Sequence, residues 1–90
     1  MSAPLKKPSQ LPHKHDLRAV LSYNIKVLRI EKGWSQETLA HECELDRTYV
    51  SAVERCRWNV SLSNIEKIAN ALSIEAWQLL KLPEEHKDTN

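Results

Sequence analysis

The chain has a single glycine in 90 residues, and no stretch alternates apolar and polar residues with the β-branched enrichment of a strand. Both absences argue against a β architecture and leave an all-α fold. The two cysteines, Cys43 and Cys56, lack CxxC spacing, so neither a disulfide framework nor a zinc site is expected. Adding His41 to both thiols still leaves a fourth ligand missing, and no metal or cofactor is expected. No apolar run approaches the roughly 18 residues needed to span a bilayer. The opening MSAPLKKPSQLPHKH also lacks the apolar stretch of a secretory signal, so the chain reads as cytoplasmic, with no membrane partner. A chain this short makes one domain near the lower limit for a single apolar core. Its function is therefore expected on the surface, with no small-molecule ligand evident.

The net charge of +1 is small for a nucleic-acid binder, but its distribution is uneven. Residues 1–32 hold seven basic side chains (Lys6, Lys7, Lys14, Arg18, Lys26, Arg29, Lys32) against Asp16 and Glu31, whereas residues 33–90 hold six against ten. A local basic face must be sought instead of a global charge. Three of the four prolines fall in residues 1–12, so residues 1–15 read as a flexible basic arm ahead of a domain over 16–82. Residues 83–90, PEEHKDTN, read as a polar tail.

Within the domain, Leu17, Val20, Leu21, Ile25 and Leu28 recur at helical spacing and Gly33 stops them, predicting a first helix over about 16–32. Ser35 is a good N-cap for a second helix over about 36–43, with Leu39 and Ala40 inward. Asp46 can cap a third over about 47–55, with Val50 and Val53 inward. The link of about three residues makes these two helices cross sharply, which is the geometry of a helix-turn-helix. Ser61 or Ser63 caps a fourth helix in which Leu62, Ile65, Ile68, Ala69 and Leu72 repeat. A short fifth, about 75–80, contains Trp77, Leu79 and Leu80. The expected architecture is a compact bundle of about five helices.

The third helix opens with Arg47, Thr48 and Tyr49, polar side chains that packing alone would not require. A helix-turn-helix presents the N-terminal end of its second helix to the major groove. Arg47 can offer two donors to guanine O6 and N7, and Thr48 can meet a thymine methyl or share a hydroxyl hydrogen bond. Ser51 and Ala52, one turn on, read as part of the same base-facing surface. Ser35 and Gln36 start the second helix, where outward N–H groups and the positive end of the dipole seat a phosphate. Arg55, Arg57 and Asn59 follow the third helix and are placed to grip the DNA backbone, giving affinity more than sequence choice.

These residues carry a resemblance. Over residues 21–72 the chain resembles the helix-turn-helix domain of the phage Cro and repressor (XRE) family, in "LRIEKGWSQETLA", "LDRTYVSAVER" and "NVSLSNIEKIANAL". It is similar in pattern to the controller proteins of restriction–modification systems, small dimers that carry a related "LDRTY.S..ER" segment. The resemblance implies that Gln36 binds phosphate and braces the recognition helix, and that Arg47 and Thr48 read bases. It implies that Tyr49 and Ser51 lie near bases or backbone, and that Arg55 and Asn59 contact the backbone. Arg29 and Glu54 match an internal ion pair. The chain departs from the pattern at Glu44 and Cys56, where the family commonly has Gly, and at Trp58, where controller proteins can carry a phosphate-binding Arg.

One helix reads only a few base pairs, so a homodimer on a palindromic operator is expected, its half-sites about one helical turn apart. Ile74, Trp77 and Leu80 exceed what a short terminal helix needs for its own packing and mark the expected dimer interface. A protein-binding adaptor or antitoxin-like module is the alternative. Glu37, Glu42, Glu44 and Asp46 crowd the motif and would repel phosphates if they faced a duplex. An enzyme is not expected, because His41, Glu42 and Cys43 are consecutive and point in different directions from a helix.

Overall fold

The computed structural model describes residues 6–8 and 10–83. Four α-helices, α1 (Leu17–Glu31), α2 (Gln36–Cys43), α3 (Arg47–Glu54) and α4 (Leu62–Ala71), are followed by a 3-10 helix, Ala76–Leu80. Among the described residues there is no strand, and no helix is long and apolar enough to cross a membrane. The short fifth helix expected over about 75–80 is this 3-10 helix, not an α-helix. Its Gln78 N–H bonds to the Glu75 carbonyl three residues back, and the Asn24 amide of α1 donates to the carbonyls of Leu79 and Lys81 at 2.8 and 2.9 Å. Pro83 has no N–H to bring to the Leu79 carbonyl in a continuing helix, and a side chain from another helix takes that carbonyl instead.

All four α-helices begin alike. Asp16, Ser35, Asp46 and Ser61 are the N-caps, each accepting from a backbone N–H of the first turn: Ala19, Thr38, Thr48 and Asn64. Such a cap contributes about 1 kcal/mol. They also end alike. Gly33, Glu44, Cys56 and Ser73 each have a φ between 58° and 73°. The next N–H then reaches back to a carbonyl of the last turn: Trp34 to Arg29, Leu45 to Ala40, Arg57 to Ala52 and Ile74 to Ala69. This is the Schellman ending, in which a left-handed residue turns the chain back. Only one of the four positions is glycine, so the composition announced one stop out of four.

The core joins every element. Ile25 of α1, Leu39 of α2, Ile68 of α4 and Leu79 of the 3-10 helix are fully buried, with Val50 and Val53 of α3 beside them. Burying each large aliphatic side chain is worth about 1.5–3 kcal/mol. Cys43 is packed in the same core, and burial pushes its thiol pKa up. Leu62, counted in the apolar repeat of α4, is instead 75% exposed.

A polar cluster fixes α3 in place. Arg29 Nε and Nη2 donate to Glu54 Oε2 and Oε1 at 2.6 and 2.9 Å, with side-chain exposures of 6% and 2%. Arg29 Nη1 donates to the Trp34 carbonyl at 2.7 Å, and Gln36 Nε2 donates to Glu54 Oε1 at 3.0 Å. Ser22 adds a hydrogen bond from its hydroxyl to the Val53 carbonyl. The last turn of α3 is thereby tied to α1, to the loop after it and to the first residue of α2.

The N-terminal arm and the C-terminal tail lie partly outside the described residues. Where the arm is described, Lys7 meets Glu31 at 2.9 Å, and Pro8, Gln10 and Pro12 line a crevice along α1 with Ala19, Ser22, Tyr23 and Lys26. That ion pair is half exposed, and pairs of this kind contribute at most about 1 kcal/mol.

Two stability outcomes are expected. Arg29→Met should destabilise by about 3–5 kcal/mol, because Glu54 is left charged and buried, while replacing both partners with apolar residues should cost far less. Denaturant melts of the single and double variants measure this, and equal losses would contradict it. Glu44→Gly should raise stability by about 0.5–1 kcal/mol: it relieves a left-handed strain of about 1–2 kcal/mol against a smaller entropic loss. A lower melting temperature for Glu44→Gly would count against strain at that turn.

Candidate nucleic-acid interface

The residues between α2 and α3 are Glu44, Leu45 and Asp46. Left-handed Glu44 reverses the chain, Leu45 packs on the core, and Asp46 Oδ1 accepts from the Thr48 N–H at 2.7 Å. The result is a helix pair crossing at a short turn, with α3 presenting its first turn outward.

Arg47 and Thr48 are exposed on that first turn, and Ser51 is half-buried one turn on, its hydroxyl accepting from Arg55 Nη1. Ala52 does not share this surface. It is 3% exposed and lies with Val50 and Val53 on the core side, so it has no access to a base edge. The reason is rotational: five residues on from Arg47, a helix has turned well past the exposed face. Small size was a poor guide there, since alanine suits a tight core as well as a close approach.

Tyr49 is half-buried at the flank of α3. Its hydroxyl accepts from Asn64 Nδ2 at 3.0 Å, and its ring lies against Trp58 with centroids 5.6 Å apart at 47°. Accepting that bond leaves the Tyr49 O–H proton able to donate outward. Asn64 and Trp58 were not foreseen as neighbours of Tyr49; they lie 15 and nine residues away in sequence, and no local periodicity links them. Ser35 is exposed at the start of α2 with its hydroxyl on the Thr38 N–H, while the Gln36 amide nitrogen turns inward to Glu54. The backbone N–H groups of the first turn of α2 have no helical partner. Arg55, Arg57 and Asn59 are exposed beyond the end of α3.

The acidic residues divide. Asp46 is spent as the cap of α3, and Glu42 and Glu44 share a hollow with Lys67 and Asn70 of α4, not with Arg47, Arg55 or Arg57. Among the described residues the two ion pairs are Lys7–Glu31 and Arg29–Glu54, and Arg47, Arg55 and Arg57 are in neither. Among the described residues no group of three or more His, Cys, Asp or Glu side chains is placed to hold a metal ion. On another side, Trp77 is 61% exposed, with Ile74 and Leu80 half-buried near it in sequence.

The helix-turn-helix family profile matches residues 25–76. A hypothetical transcription factor of Neisseria meningitidis serogroup B is 61% identical over 85 residues, 94% of this chain and 80% of its own. A crystal structure of a hypothetical transcription factor from Neisseria superposes with a TM-score of 0.86 at 63% identity, covering 88% of this chain and 91% of that one. Control protein C.BamHI of Bacillus amyloliquefaciens is 45% identical over 67 residues, 73% of this chain and 83% of its own. The restriction–modification controller protein C.Esp1396I, solved bound to a 19 base pair DNA duplex, is 38% identical with a TM-score of 0.66, covering 71% of this chain and 85% of that one. Its tetramer has also been solved in complex with its natural 35 base-pair operator. The fold, the helix-turn-helix match and these likenesses agree: this chain belongs to the Cro/repressor-type (XRE) helix-turn-helix family of DNA-binding transcription regulators.

Proposed function

We propose that this protein is a sequence-specific regulator of transcription that binds a palindromic operator as a homodimer, with α3 of each protomer in the major groove. The observation that carries the reading is the first turn of α3, where Arg47 and Thr48 stand exposed and Asp46 holds the helix start by its cap. A rigid helix end presenting a guanidinium and a hydroxyl fits base edges, which display acceptors in fixed patterns.

In this reading Arg47, Thr48 and Ser51 read bases. Ser35, Gln36, Tyr49, Arg55, Arg57 and Asn59 hold the backbone and set the register of the helix on the duplex. Residues 16–82 are the DNA-binding unit. Two copies meet through Ile74, Trp77 and Leu80, and the protein acts by occupancy, as a repressor or autoregulator according to where the site lies. The likeness to C.BamHI and C.Esp1396I favours a second, narrower reading, a controller protein of a restriction–modification system. An adaptor role is less well supported, because Glu42 and Glu44 face the hollow with Lys67 and do not crowd the arginines.

Selection from a random duplex pool at roughly physiological salt should enrich an inverted repeat with half-sites about one turn apart. Enrichment of no sequence by folded protein would contradict the proposal and turn attention to protein partners. Arg47→Ala should lose about 1–3 kcal/mol of binding and relax one base position. A uniform loss on every sequence would reassign Arg47 to a phosphate. Trp77→Ser should sediment as a folded monomer, and an unchanged dimer would place the interface elsewhere.

A further inference from the structure

We propose that Asn24 is a positioning residue that sets which half-site spacing the dimer accepts, by fixing where the 3-10 helix sits on α1. The inference rests on the homodimer reading above and deepens it, assigning the geometry between the two copies to one side chain.

α1 stands between the two parts which that reading uses. Ser22 and Arg29 are seven residues apart and so nearly in line along a helix. They tie α1 to the last turn of α3, through the Val53 carbonyl and through Glu54. Asn24 is two residues on from Ser22, about 200° around the helix, and its amide donates to the carbonyls of Leu79 and Lys81. One side of α1 thus holds the proposed recognition helix, and the other holds the 3-10 helix that carries Trp77 and Leu80 of the proposed interface. In a two-fold dimer any change of angle at this joint is made twice, once in each copy.

Little else at the joint is directional. Leu79, fully buried with Ile25 and Ile68, holds the 3-10 helix against the core, but apolar burial has no preferred direction. Beside Leu79 the packing is open, and Leu28, Ile74, Gln78 and Leu82 line a crevice of about 330 Å³ with Asn24. The Glu75 N–H donates to the Gln78 side chain at 2.8 Å, which shapes the start of the 3-10 helix without linking it to another element. Among the described residues, the hydrogen bonds from another helix to residues 76–81 are the two from Asn24. Both N–H groups of one amide are used, and two bonds from one rigid group fix angle and distance together.

The residue type fits a positioning role. Asn24 is 9% exposed. A buried amide is costly unless it is hydrogen-bonded, and a leucine of similar size would bury more apolar area without that requirement. Asparagine gives up some apolar burial and gains a defined place for the chain that carries the interface.

The test uses the full chain and duplexes carrying the inverted repeat recovered by selection, at the selected spacing or with one base pair added or removed between the half-sites. One base pair turns a half-site by about 35° and moves it by about 3.4 Å, so a rigid dimer discriminates among these duplexes and a loose one does not. Asn24→Leu should remain a folded dimer by sedimentation and bind a duplex with a single half-site as wild type does. Its preference for the selected spacing over the altered ones should fall about fivefold relative to wild type, the effect of about one hydrogen bond. If Asn24→Leu melts early, Asn24→Ala, which removes the amide and adds no bulk, decides.

Folded variants with an unchanged spacing preference would overturn the proposal. An equal loss at every spacing would also overturn it, since Asn24 would then act only on the stability of the fold or of the dimer. Wild-type protein that binds as a monomer, or without a spacing preference, defeats the homodimer reading itself. Wild-type preference with unaffected variants defeats only this inference.

Discussion

The buried pairing of Arg29 with Glu54 is the constraint on which the rest of the arrangement depends. Two charges removed from water are costly, and the cost is offset only where geometry is good and every remaining donor and acceptor is used. Here Arg29 spends Nε and both terminal nitrogens, and Glu54 both oxygens, on each other and on the Trp34 carbonyl and the Gln36 amide. Rotation of α3 about its axis would break several of these bonds at once. The cluster therefore fixes an orientation more than it adds to stability. Because Gln36 begins α2 and Glu54 closes α3, the proposed phosphate seat and the proposed recognition helix share one anchor.

The helix ends complete that geometry. Four side-chain caps start the helices, and four left-handed residues stop them. In three cases the residue after the stop returns to the core, which pins each helix at both ends. In the fourth, after α3, it does not, and the surface beside the recognition helix stays open. The residues that hold the fold and those proposed to meet DNA are thus separated in space. Ile25, Leu39, Ile68 and Leu79 hold the elements together from one side of α3, while Arg47 and Thr48 stand free on the other.

Much of the fold was legible because its signals are local. A serine or aspartate before an apolar repeat gives a helix start, and the ranges expected for α1, α2 and α3 fall within a residue of those observed. The stops were less legible. Glu44, Cys56 and Ser73 are left-handed without being glycine, so composition does not mark them, and Ser73 drew no attention at all. The short fifth helix expected over about 75–80 is a 3-10 helix over Ala76–Leu80, and the Asn24 side chain bonded to its end comes from elsewhere in the chain. In the site, Ala52 was misplaced because residue type says nothing about rotation around α3. The neighbours of Tyr49, namely Asn64 and Trp58, are long-range contacts that one sequence cannot reveal.

The central claim is that α3 enters the major groove twice, once in each half of an inverted repeat. Probing guanine N7 with dimethyl sulfate on a bound operator tests it most directly, because N7 lies on the major-groove edge that Arg47 is proposed to contact. The account predicts two patches of N7 protection separated by about one helical turn, with adenine N3 in the minor groove left reactive between them. A bound complex in which every N7 stays reactive, or in which only the minor groove is shielded, would contradict it.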